Sequence, residues 1–329
     1  MTAAYFVESD DESRHTPEPE DLWSESYYAD FVDGDGTWGG WLRLGMYPNR
    51  KVAWWTAYIV GLGRTGVCSV DYALPVPAGD GLVIEDADTR VEIEIIKPLE
   101  SFRLAAAAPA RILSQPEQAY VEGAGTPGTL AVDLTWTTDG TPYHYSVTPR
   151  YEIPCLVTGT VTIDGQEHAV DGQGQRDHSW AARDWWAFGW CWSSARLNDG
   201  TRIHLSDIRM PGFPIFFGYV QTPPAAGSAG SAGSAGSAGH GTVHPITALT
   251  VTEVVGEHGF PTSAHIALQS GADPDLLTIA VTPLAYGPVL LIDEQRGRTS
   301  HFPRAMVRYD VADGRQGLGW IEWNQPDPA

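Results

Sequence analysis

Twenty Lys and Arg stand against 41 Asp and Glu in 329 residues, a formal charge of −21, which excludes nucleic acid and an anionic membrane surface as partners and favours a ligand that is neutral or cationic, at least on the outer surface. Cys68, Cys155 and Cys191 are odd in number, widely spaced and without a CxxC pair, which fits reduced thiols in a cytoplasmic protein better than a disulfide framework. No stretch approaches the ~18 uninterrupted apolar residues of a membrane span, so no stable membrane insertion is expected.

Residues 1–22 read as a disordered acidic tail, because seven acids and one Arg14 fall between Met1 and Asp21 and no apolar run follows a basic start. Ordered structure begins at Trp23, and Asp33-Gly34-Asp35-Gly36 reads as a hairpin turn, since Asp-Gly pairs readily adopt positive φ. Short apolar runs cut by turn residues follow. Val91, Ile93 and Ile95 alternate with Glu92 and Glu94, and Leu130, Val132, Leu134 and Trp136 alternate with Ala131, Asp133 and Thr135. Period two with one wet face is the mark of an antiparallel strand. Asp164-Gly165, Asp199-Gly200 and Asp313-Gly314 supply further turns between runs of the same kind, and no amphipathic helix exceeds about three turns. The chain is therefore all-β or nearly so. Its length suits two packed domains, 23–185 and 186–329. Residues 225–241 repeat Ala-Gly-Ser, have nothing to bury and read as a flexible loop.

Chemistry concentrates between Gly172 and Trp192. Five of the 13 tryptophans lie between Trp180 and Trp192, and an Arg-Asp pair occurs twice, at Arg176-Asp177 and Arg183-Asp184. Charged groups among indoles must be paired and hydrogen-bonded to be tolerated away from water, which suggests a lined cavity. Each Asp here has a simpler role available, pairing with a neighbouring arginine, and the tryptophans have one as core. Gly172-Gln173-Gly174 reads as a bend or bulge.

Trp186, Phe188, Trp190 and Trp192 share one face of an expected strand. If Asp199-Gly200 makes a two-residue turn, Asp207 lies opposite Trp192 on that aromatic face; a three-residue loop would shift the register by one and send it toward Cys191. A carboxyl group among indoles is desolvated, its pKa rises, and it can act as an acid near neutral pH. Asp207 is thus the expected proton donor, facing one cavity with His178, and His178 and His204 could orient or relay. A metal held by Asp177, His178, His204 and Asp207 would have no standard spacing, so neither metal nor cofactor is expected. Trp180, Trp190 and Trp192 would line a pocket for a hydrophobic small molecule and could stabilise a carbocation through their π faces.

Gly174-Gln175-Arg176-Asp177-His178-Ser179-Trp180, followed by an aromatic strand and then Asp207, resembles the carotenoid 1,2-hydratase (hydroxyneurosporene synthase) and AttH-like superfamily. Uncharacterised actinobacterial members with the pattern Arg-Asp-His-Ser-Trp-x-x-Arg-Asp-Trp are nearest. The resemblance implies two tandem lipocalin-like antiparallel β-barrel domains with a hydrophobic pocket and, for the hydratases, protonation of an isoprenoid double bond with water capturing the tertiary cation. It places the Asp-His-Asn-Trp-Gly motif on Asp177 to Ala181 and the Tyr-x-Asp motif on Leu205, Ser206 and Asp207, with departures at Ser179, Ala181 and Leu205. Asp207, His178 and Asp177 become the catalytic candidates, and Arg176, Trp180, Trp186, Trp190, Trp192 and His204 the substrate-binding ones. A hydratase acting on a neutral isoprenoid, terpenoid or steroid-like molecule is the leading expectation. A lipocalin-like carrier and a Diels–Alderase-like pericyclase are the alternatives.

Overall fold

The computed structural model of the chain describes residues 7–223, 241–271 and 273–327. The Ala-Gly-Ser stretch lies outside them except for Gly241. Among the described residues the regular structure is strand with four short 3-10 turns and no α-helix.

The first sheet contains β1 (Trp23–Asp33), β2 (Gly39–Tyr47), β3 (Val52–Gly61), β4 (Arg64–Leu74), β5 (Val83–Asp86), β6 (Thr89–Lys97), β7 (Ser101–Leu113), β8 (Thr126–Thr138), β9 (Tyr143–His144), β10 (Arg150–Ile163) and β11 (Gln166–Ala182). Eight of these run β4-β3-β2-β1-β11-β10-β8-β7, and β7 pairs back onto β4 through Gly66 to Cys68, closing an antiparallel barrel. The chain leaves this barrel at Ala182 and enters the second at Gly189. There follow β12 (Gly189–Leu197), β13 (Arg202–Met210), β14 (Phe213–Thr222), β15 (Thr242–Val255), β16 (Pro261–Ser270), β17 (Asp273–Tyr286), β18 (Val289–Asp293), β19 (Arg298–Phe302), β20 (Arg304–Val311) and β21 (Gln316–Pro326). The ring β12-β13-β14-β15-β16-β17-β20-β21 closes where β21 pairs with β12 from Trp190 to Leu197, and β19 and β18 extend from its edge.

Local sequence explains the corners. Ile163 and Gln166 are joined by Asp164 and Gly165 at φ 50° and 80°, the double positive φ of a type I′ two-residue hairpin. Alternation then sorts side chains. Tyr27, Ala29 and Phe31 of β1 enter the first barrel's apolar core, while Tyr28 and Val32 join a second cluster with Trp41, Trp190, Trp192 and Trp320 between the barrels. Cys191, Leu205, Ile266, Val307 and Trp323 form a third cluster inside the second barrel. A strand with one wet face would be polar on alternate residues, whereas β1 is buried on both faces from Trp23 to Val32 because the second barrel covers its outer side.

Two expectations need correction. The N-terminal segment is not a free tail from residue 7 onward: Glu12 is 1% exposed, accepts from Arg176 Nη1 at 2.7 Å and from the Tyr151 hydroxyl at 2.8 Å, and so supplies the counter-charge that a buried guanidinium needs. Gly172 and Gly174 lie within β11, where they allow close approach to β1. The ladder pairs Ala29 with Arg176 and Val32 with Gln173, and between them the Asp30 carboxylate accepts the Gln175 backbone N–H at 2.9 Å. A Cβ at Gly174 would stand 1.9 Å from the Asp30 carbonyl oxygen. We expect G174A to lower stability by about 1–3 kcal/mol, as overpacking does, read as a lower urea midpoint at unchanged slope. An unchanged midpoint would mean that the two strands part there without cost.

Candidate active site between the barrels

The outer faces of β1, β2, β10 and β11 meet those of β12, β13, β14 and β21, and this seam encloses a cavity of about 370 Å³. Trp41, Trp185, Phe188, Trp190, Trp192, Ile208, Phe217, Leu291 and Phe302 supply its apolar wall. Asp177, Arg150, Tyr145, Ser206, Arg43, Arg183, Arg304 and Glu322 supply its polar groups. The tryptophan N–H groups are engaged by protein acceptors: Trp190 donates to Glu322 Oε1 at 2.8 Å, Trp192 to Glu152 Oε1 at 3.0 Å, and Trp186 to the Leu291 carbonyl at 3.1 Å. Trp186 is buried in the linker between the barrels, outside both sheets and the cavity wall, so the expected aromatic strand starts at Gly189 rather than at Trp186.

Parity decides which motif residues reach the cavity. On β11 the odd positions Gln175 and Asp177 face the seam, while Arg176, His178 and Trp180 face the first barrel. Asp177 is 5% exposed, lines the cavity and accepts from Arg150 Nη2 at 2.7 Å. His178 places Nε2 2.6 Å from Glu25 Oε1, directs Nδ1 to the Asp11 carbonyl at 2.8 Å and stacks on Tyr27 at 4.0 Å. His15 reaches the same Glu25 oxygen at 2.9 Å and stacks on Trp180 at 3.9 Å. Arg176, His178 and Trp180 therefore meet the N-terminal segment rather than the cavity.

Asp207 requires a further correction. β12 and β13 pair Cys191 with Asp207 and Trp192 with Ser206. The connection from Leu197 to Thr201 contains three residues, closed by the Leu197 N–H on the Thr201 carbonyl at 2.8 Å, with Gly200 at φ 86°. One residue more than the two-residue turn moves every β13 side chain to the other face. Asp207 consequently lies on the side of the second barrel's interior, paired with Arg209 at 3.2 Å, away from His178. Ser206 and Ile208 take the cavity positions. His204 is on the seam behind the wall. Its Nδ1 donates to the Ser193 carbonyl at 3.0 Å, which leaves Nε2 to accept from the Tyr145 hydroxyl at 2.7 Å.

These contacts form one buried polar cluster. Arg150 bridges Asp177 and Glu152, and Glu152 also accepts from Trp192 and from Gln175 Nε2 at 2.9 Å. Burial works to raise the Glu152 carboxyl, but Arg150 and its hydrogen-bond donors outweigh this and hold it below the usual carboxylate range. Asp177 goes the other way: burial pushes it up to about 7, with neighbouring Glu152 adding to the rise and Arg150 and Arg183 opposing it. Burial lowers His204 to about 4, so its ring is neutral near neutral pH. The arrangement thus presents an apolar cavity with one carboxyl poised to be protonated beside fixed guanidiniums. Tyr145, Arg150 and Glu152 carried no local signal in the sequence, since two charges spaced by two on a strand read as a wet face.

Two closed antiparallel barrels therefore meet at a junction that holds the cavity. The chain belongs to the family described as domain of unknown function DUF7064, whose family model matches residues 8–327. Its fold is similar to that of a Nitrosomonas europaea protein described as an AttH, at 14% identity and TM-score 0.60 over 98% of this chain and 97% of that one. It is also similar to kievitone hydratase from Nectria haematococca, at 12% identity and TM-score 0.58 over 98% and 94% of the two chains. CghA shares the fold at 9% identity and TM-score 0.53 over 95% and 93%. No curated protein matches the chain in sequence. No helix among the described residues is long and apolar enough to cross a membrane.

Asp30 gives the seam a pH signature. It is buried, accepts from the Tyr28 hydroxyl and the Gln175 N–H, both at 2.9 Å, and burial nevertheless raises it from 3.8 to about 7. Because the folded form holds this proton more tightly than the unfolded chain, the group's contribution to stability is complete below 3.8 and is lost as pH rises toward 7. We expect D30N to lose about 2 kcal/mol less than the wild type between about pH 5 and pH 8, measured by urea unfolding. Parallel pH profiles for the two proteins would refute this.

Proposed function

We propose that this protein is a hydratase-type enzyme, a hydro-lyase of the carotenoid 1,2-hydratase kind, acting on a hydrophobic molecule held between its two barrels, with Asp177 as the general acid. The observation that carries the reading is a carboxyl group, 5% exposed and raised to about 7, on a cavity walled by Trp190 and Trp192. Such a group can hold a proton at neutral pH and release it to an alkene carbon. The Asp177 O–H bond breaks as the new C–H bond forms, and the carbocation faces indole rings whose own N–H groups already donate to Glu322 and Glu152. Water then adds to the cation, and its surplus proton returns to the Asp177 carboxylate. Arg150 is a positioning residue here: its bond to Asp177 fixes the carboxyl, and Glu152 fixes Arg150. Isoprenoid, terpenoid or steroid-like alkenes are the substrate class in this reading, and the cytoplasm its location. The fold likeness to kievitone hydratase supports it.

A carrier function is the second reading, favoured by one observation. The position of the hydratase tyrosine is Leu205, and both Leu205 and Asp207 belong to the second barrel's side of β13. The test uses the ligand that co-purifies with the protein, identified by mass spectrometry and incubated in oxygen-18 water. Label in the product of the wild type, with D177N slowed by about 10²–10⁴ while still binding, supports the hydratase. Unlabelled, rearranged product points to a pericyclase, and unchanged ligand bound equally by both proteins points to the carrier.

A further inference from the structure

Four of the chain's 20 basic side chains line the cavity, Arg43, Arg150, Arg183 and Arg304, against three of its 41 acids, Asp177, Asp184 and Glu322. This reverses the charge balance of the whole chain. All three acids are engaged: Asp177 accepts from Arg150 at 2.7 Å, Asp184 from Arg298 at 2.9 Å, and Glu322 pairs with Arg304. Arg43 and Arg183 have no ion-pair partner among the described residues. Arg43 donates to the Tyr47 hydroxyl at 3.4 Å, a long and weak contact.

Both guanidiniums are nonetheless held in place. They lie over the same Trp185 ring, Arg43 at 4.7 Å and Arg183 at 5.0 Å from its centroid. Gly45 makes room for the first, since a Cβ there would stand 2.6 Å from Arg43 Nη1. Burial, with Arg150 and Arg43 adding to it, lowers Arg183 to about 10, and the Asp177 carboxyl opposes this only in part. Two fixed, unpaired guanidiniums beside an apolar wall recognise an oxyanion, for which the planar fork of donors is suited. They would also repel a carbocation formed at Asp177 unless the ligand itself brought negative charge.

We propose that the ligand of this cavity is an apolar molecule bearing a carboxylate, which Arg43 and Arg183 bind while the hydrocarbon body lies against Trp190, Trp192 and Phe217. This rests on the reading of the cavity as a ligand site, and it replaces the neutral ligand expected from the charge of the whole chain.

The test uses two fluorescent probes that differ only at the head, 1-pyrenebutanoate and 1-pyrenebutanol, with binding read by energy transfer from tryptophan. The acid is expected to bind the wild type at least about tenfold more tightly than the alcohol, with the preference shrinking as salt is raised. R43Q and R183Q should each remove most of that preference and leave alcohol binding within about twofold. The wild-type comparison does not depend on the folding of any variant. Equal affinity for acid and alcohol would overturn the inference and leave the ligand site standing. Binding of neither probe would overturn both.

Discussion

Three charged side chains, Arg150, Glu152 and Asp177, are taken out of water between two barrels, and the arrangement of the rest follows from satisfying them. A buried charge deprived of its partner is strongly destabilising. The partners come from both halves of the chain: Gln175 and Arg150 from the first barrel, and the Trp192 indole from the second. Tyr145, from the segment before β10, joins Glu152 to His204 and Ser206 on β13. Each barrel thus completes the other's hydrogen bonds, and displacing one from the other would strand several polar groups at once. The apolar seam, with Trp41, Trp190 and Trp320 at its centre, supplies the burial that makes those charges costly to expose to anything but one another.

Strand identity was legible in the sequence because period two and Asp-Gly turns are local signals. Asp164-Gly165 turned the chain as its composition implied. Register was less legible. The connection after Leu197 holds one residue more than the shortest hairpin, and that single residue moved Asp207 off the aromatic face and put Ser206 in its place. Parity within the central motif was also hidden. Arg176, Asp177 and His178 are consecutive, yet only Asp177 points toward the seam, because a strand sends neighbours to opposite faces and the sequence does not say which face is covered. The aromatic wall was visible as the cluster from Trp180 to Trp192, although Trp180 and Trp186 turned out to serve other packing. Tyr145, Arg43 and Arg304 come from distant segments, and only the closed barrels bring them together.

The two seam carboxyls and the neighbouring histidine illustrate how burial sorts ionisable groups. Asp30 and Asp177 are raised and His204 is lowered, all three chiefly by desolvation, so burial moves each group toward its neutral form. Glu152 is the exception because it collects the largest set of donors. Of these three carboxyls, Glu152 is the one held charged, and Asp30 and Asp177 can carry protons.

Both barrel interiors are filled by their own apolar clusters, and the open volume lies between two finished bodies. In a one-barrel lipocalin-like protein, strand number and shear set the size of the cup, and changing it means rebuilding the barrel. Here the width of the cavity is the gap between the walls of the two barrels. Substitutions at the rim, such as those at Met210, Ile215 or Val289, can widen or narrow that gap without disturbing either core. Cavity width and barrel stability are therefore mechanically decoupled, so the one can change while the two cores stay the same.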